Sequence, residues 1–197
     1  MSRYIEIAVI VVAILVIVGI VMAFVGSRRR RTRQLRQRFG PEYDRTVQST
    51  GGAGAAEREL HAREERRRGF QIHPLGAVER QRYATEWMAV QQRFVDAPSE
   101  ALGEADRLVS SVMAERGYPM QDFDRMAEDV SVDHPHEVND FREAHSVALA
   151  GDAAGTEDMR VGMQRYRSLF DSLLRDDGVA GGNAAGTTAA TPTGDNR

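Results

Sequence analysis

Tyr83-Ala84-Thr85-Glu86-Trp87-Met88-Ala89-Val90-Gln91-Gln92-Arg93-Phe94 carries its large core-type side chains at positions 83, 87, 90 and 94. The spacing i, i+4, i+7, i+11 is one face of a 3.6-residue helix, and a strand, with its period of two, would not gather these residues. An aromatic face of this kind is expected to be core rather than a ligand box. The same period recurs downstream. Asp96 is read as the cap of a second helix, with Pro98 in its first turn, where a missing N–H does no harm. Leu102, Ala105, Leu108 or Val109, and Val112 form its stripe, and Gly117 with Pro119 ends it. Phe123, Met126, Ala127 and Val130 mark a short third helix. A fourth opens near Asp133-His134-Pro135, with Val138, Phe141, His145 and Ala148 or Leu149 inward. A fifth, behind Thr156 as a cap, carries Met159, Met163, Tyr166, Phe170 and Leu173. The connections are short, as between antiparallel neighbours. The expected fold is all-α, with a small five-helix, bundle-like soluble domain over residues 77–175 inside a domain bounded at 70–175.

Upstream the pattern weakens. Residues 56–68 hold good helix formers and charge pairs four apart, Glu59 with Arg63 and Glu64 with Arg68, but Leu60 is the single large apolar residue. Such a helix buries little by itself and is read as a charged helical stalk, or as a segment lying loosely on the main domain. Gly40-Pro41 breaks the chain before it, residues 42–47 are too short and mixed to assign, and residues 48–56 read as a linker. Residues 28–69 are thus a basic juxtamembrane segment, linker and stalk, and the Gly, Ala and Thr-rich residues 176–197 a disordered tail.

The juxtamembrane reading comes from residues 1–27. Ile7 to Val25 holds no charged or strongly polar side chain, and 19 residues span about 28 Å of helix, close to a bilayer's hydrocarbon thickness. The expectation is one N-terminal transmembrane helix. Arg28, Arg29, Arg30, Arg31, Arg33, Arg36 and Arg38 follow it, against Arg3 and Glu6 before it, which places the C-terminal domain on the cytoplasmic side of a cell inner membrane. A cleaved signal peptide would need its basic region before the apolar run. The arginines are also candidates for contact with anionic lipid headgroups. Gly19 and Ala23 form a small-xxx-small pair through which two copies could self-associate.

Charge is segregated along the 197 residues. Eight arginines against one glutamate give residues 1–38 about +7, and eleven arginines against nineteen acids give residues 70–175 about -8. The acidic body excludes nucleic acid as a partner, since phosphates need cations. The absence of cysteine removes disulfides and thiolate chemistry. There is no Gly-rich phosphate loop or nucleophile elbow, and no catalytic residue, cofactor or metal ligand is assigned. The densest polar cluster runs from Asp133 through His134, His136, Glu137, Asp140 and Glu143 to His145. It keeps open a metal-dependent or acid–base enzyme, although His136-Glu137-Val138-Asn139-Asp140 is not a zinc-protease helix.

Arg38-Phe39-Gly40-Pro41-Glu42-Tyr43-Asp44-Arg45-Thr46-Val47, Arg116-Gly117-Tyr118-Pro119 and Ser131-Val132-Asp133-His134-Pro135, with Val90-Gln91, Phe94-Val95-Asp96, Pro98 and Thr156-Glu157-Asp158-Met159-Arg160, form a specific pattern. It resembles an uncharacterised family of bacterial, actinobacterial-type membrane or secreted proteins. The resemblance covers most of residues 38–175 and implies no known activity, so it carries over no residue role. His73 and Gly76-Ala77 depart from its pattern. The functional expectation is a membrane-anchored, non-enzymatic interaction or scaffold protein with an unknown protein partner, with the enzyme centred on residues 133–145 and a self-associating envelope protein as rivals.

Overall fold

A computed structural model describes the backbone of residues 2–175 and the side chains of residues 15–20, 22, 26, 27 and 30–175. Every regular element among the described residues is helical: α1 Ser2–Phe39, α2 Pro41–Thr50, α3 Ala53–Arg68, α4 Ala77–Arg93, α5 Pro98–Glu115, α6 Phe123–Val130, α7 Val138–Ala150 and α8 Thr156–Arg175, with a 3-10 turn at Gly151–Ala153.

Helices α5 and α8 form the spine of the larger core. α5 buries Ala101, Leu102, Ala105, Leu108, Val109, Val112 and Met113, and α8 buries Met159, Met163, Tyr166, Leu169, Phe170 and Leu173. Both sets repeat at three and four residues, so each helix turns one stripe to the other. Gly162 permits their close approach, because a Cβ there would stand 3.3 Å from Leu102 Cδ1. α7 packs on α8 and α4 on α5. From α4, Trp87 stacks on Phe170 with ring centroids 4.6 Å apart, and Phe141 of α7 meets Tyr166 edge-on at 6.0 Å. Each such ring contributes roughly 1.5–3 kcal/mol by burial. Arg116, fully buried just after α5, donates from Nη1 to Leu173 O at 2.8 Å, a cation at the negative end of α8. The start of α5 differs from expectation. α5 is preceded by Ala97 with no side-chain cap, so Asp96 does not cap it; Asp122 caps α6, accepting from the Arg125 N–H at 3.0 Å.

A second, smaller core lies at the N-terminal side. Leu35 and Phe39 from the end of α1, Tyr43 of α2, Leu60 of α3 and Val132 after α6 close it. This overturns the charged stalk. α3 buries Ala56, Leu60, Arg63 and Glu64 and packs on α2 and α6. The expectation failed because the charges of this helix are used in tertiary contacts. Glu64 pairs with Arg38 at 2.8 Å rather than with Arg68, and Arg66 reaches Glu128 and Asp129 on α6. The unassigned 42–47 segment is helical within α2 and buries Glu42, Tyr43 and Thr46.

Among the described residues no helix is long and apolar enough to cross a membrane. This overturns the transmembrane, single-pass element of the expected fold and the membrane localisation built on it. Leu15, Val16, Ile17, Val18, Ile20 and Met22 of α1 are exposed. The helix does not stop after the apolar run: α1 continues unbroken to Phe39, where its last turns join the small core. The side chains of most of the Ile7–Val25 run, Ala23 among them, and those of Arg28 and Arg29 lie outside the described residues, as does the 176–197 tail.

Candidate functional site

The chain turns at Gly40, whose φ of 48° is left-handed, and Pro41 opens α2 with a φ already suited to a helix. The next residue, Glu42, is 1% exposed. It accepts from Arg63 Nη1 of α3 at 2.7 Å and from Arg142 of α7 at 2.6 and 3.0 Å. One carboxylate is therefore clamped between two guanidinium groups from two other helices. Arg63 also pairs with Glu59 at 3.2 Å and donates to Ser131 Oγ at 3.3 Å. Beside it, Arg67 bonds Asp133, which accepts from the Tyr118 hydroxyl at 2.7 Å. Burial, reinforced by Asp133, pushes the Tyr118 hydroxyl far above its ordinary range. Burial also holds Asp129 above the usual carboxylate range, although Arg66 opposes the shift, and its Oδ2 has no donor among the described residues.

Arg142 of the clamp also lines an open groove. Where α2 passes the start of α6 and one face of α7, a cavity of about 510 Å³ opens, with Phe123, His145 and Leu149 as its less polar lining. His145 lies flat on Phe123, with centroids 3.6 Å apart and planes 7° off parallel. Its Nδ1 is 3.0 Å from Asp106 Oδ1, which also accepts from the Tyr166 hydroxyl at 2.7 Å. An ionised Asp106 has no proton to give, so Nδ1 is the protonated nitrogen. Nε2 is then an acceptor in the neutral ring and a donor in the imidazolium. Burial, and then Asp106, raises the Tyr166 hydroxyl above its ordinary range and keeps it a donor.

Both signs of charge line the groove. Arg142 is held by Glu42, Glu143 pairs with Arg165 at 2.6 Å, and Asp122 is engaged as the α6 cap. Arg45, one turn beyond Glu42, and Asp124 are exposed and have no partner among the described residues.

The sequence-predicted residues are dispersed. Asp133 is bonded to Arg67 and Tyr118, His134 Nδ1 lies 3.0 Å from Ser172 Oγ, Asp140 and Glu143 face Arg165, and His145 faces Asp106. No group of three or more His, Asp or Glu among the described residues could hold a metal ion. This overturns the enzyme reading built on the 133–145 cluster, whose residues do not converge: Asp133, His134 and His145 each have a different partner, and Asp140 and Glu143 share Arg165. Of the headgroup arginines, Arg30, Arg31, Arg33, Arg36 and Arg38 are all exposed; Arg36 pairs with Asp44 at 3.1 Å and lies over the Tyr43 ring, and Arg38 pairs with Glu64. A Cβ on Gly19 would meet nothing within 4 Å.

Glu42, Arg45, Asp106 and Arg142 were not singled out from the sequence as a site. The available signal was Glu42 inside the Phe39–Val47 motif, a charged residue next to three that prove buried. Comparison with known proteins finds no similarity to a family model, a curated protein or a solved structure.

Proposed function

We propose that the chain is a ligand-binding helical module whose recognition site is the groove between α2, α6 and α7. The observation that carries this reading is the lining: a cavity of about 510 Å³, within the ordinary range of ligand sites, with an apolar strip of Phe123 and Leu149 set among charges of both signs. Leu149 is 75% exposed, and a bound apolar group would cover it. The clamp supports the same reading, since α2 and α7 are locked together before any ligand arrives, and a preformed wall reduces the ordering cost of binding. Nothing in the groove supplies an activated nucleophile: the Ser146 hydroxyl donates to Glu143 O at 2.8 Å and is not bonded to His145. We also propose kinship with the bacterial family that the Arg38–Val47 and Ser131–Pro135 motifs resemble; in this chain those motifs contribute Glu42 and Ser131 to the clamp and its surroundings.

The test is a ligand-observed NMR screen of chemically diverse small molecules against the full chain and Leu149→Arg, which fills the groove from an exposed position. Compounds that bind the parent chain and lose at least 10-fold in affinity for the variant support the reading. A screen in which every binder is indifferent to the substitution, or in which none binds, contradicts it.

A further inference from the structure

Resting on the groove as a binding site, we infer that its ligand is a zwitterionic, apolar molecule of about dipeptide size, with its carboxylate on Arg45 and its ammonium on Asp124. The groove's charges reject the simpler classes. A polyanion such as a phosphate ester would meet Asp122, Asp124 and Glu143, and a polycation would meet Arg45 and Arg142. Arg45 and Asp124 have no partner among the described residues, and a neutral apolar molecule would supply one to neither. A ligand with one charge of each sign leaves neither group unpaired, and the guanidinium fork of Arg45 suits a carboxylate.

The rest of the lining specifies what lies between the two charges. Phe123 and Leu149 offer apolar surface to side chains. His145 is fixed by Asp106 at Nδ1, 3.0 Å away, and by its stack on Phe123. Its other ring nitrogen, in the neutral ring, is an acceptor matched to an amide N–H. A single amino acid has no amide N–H between its charged ends, whereas a dipeptide has one, and a cavity of about 510 Å³ has room for it.

The experiment is calorimetric titration of the full chain with Leu-Phe as the free dipeptide, as its N-acetyl derivative and as its C-terminal amide, with inorganic phosphate and spermidine as purely anionic and cationic probes. The free dipeptide is expected to bind at least 10-fold more tightly than either capped form. Arg45→Gln should erase the preference for acid over amide, and Asp124→Asn the preference for free over acetylated amine. Because each readout is a ratio within one variant, a loss of folded protein does not imitate it. Capped dipeptides that bind as well as the free one, or a groove that takes only phosphate or only spermidine, overturn the zwitterion inference, while sensitivity of that binding to Leu149→Arg leaves the binding-module reading standing. Silence from all five probes overturns the zwitterion inference, and the separate screen with Leu149→Arg then decides the module.

Discussion

The two cores of this molecule are built from opposite materials. Between α4, α5, α7 and α8 the contacts are hydrocarbon and aromatic, with Trp87 on Phe170 at the centre. Between the end of α1, α2, α3 and the α6–α7 side, five apolar residues close a small cluster, and the interface around it is made by Glu42, Arg63, Arg66, Arg142 and their partners. An apolar core is non-directional and tolerates adjustment. A buried charge network fixes one geometry, and its desolvation cost offsets most of the attraction, so it contributes little net stability while making the loss of one partner costly. The larger core should therefore set whether the chain folds, and the smaller one how the N-terminal helices sit on it and whether the groove exists.

The largest effect is expected from Phe170→Ala. Removing a ring from the stack costs about 3–5 kcal/mol, and because α8 touches both α5 and α7, denaturant unfolding should shift as one transition. Glu42→Ala should cost about 3–5 kcal/mol as well, by leaving Arg63 and Arg142 buried without their carboxylate. Its cost should fall on the docking of α1–α3 against α7 and appear as a separate early transition. A single transition displaced as in Phe170→Ala would remove the distinction between the cores.

The smallest effect sharpens the comparison through pH. Asp129 has a folded-state pKa above its ordinary value, so its ionisation works against the fold. The stability linked to its neutral form is fully present below the unfolded value of 3.8 and is lost as pH rises through the raised folded value. Asp129→Asn should therefore be more stable than the parent chain near neutral pH, and the difference should vanish below the unfolded value of 3.8. Chemical denaturation of both proteins across pH 3 to 8 checks this; a constant difference would show that Asp129 titrates normally.

Legibility from sequence follows the same division. Tyr83, Trp87 and Val90 declare an inward face by spacing alone, as do the stripes of α5 and α8, because apolar periodicity is a local signal. Charged residues give no such signal. Glu59 and Arg63 do form their four-apart pair, yet Arg63 also reaches Glu42, 21 residues back, and Arg142 reaches the same carboxylate from 100 residues away. Partners this distant cannot be chosen by local spacing, so α3 read as solvated and α2 as unassignable. The groove is hidden for the same reason: the helical position of His145 marks it as a core residue, and neither Asp106 nor Arg45 shares a local motif with it.

The central claim is that Glu42 docks the N-terminal helices on the bundle, and hydrogen exchange of the full chain carrying Glu42→Ala tests it most directly. Amides of residues 35–68 should lose at least 10-fold in protection, while those of α5 and α8 keep theirs. Equal loss in both regions, or unchanged protection across residues 35–68, would contradict the account.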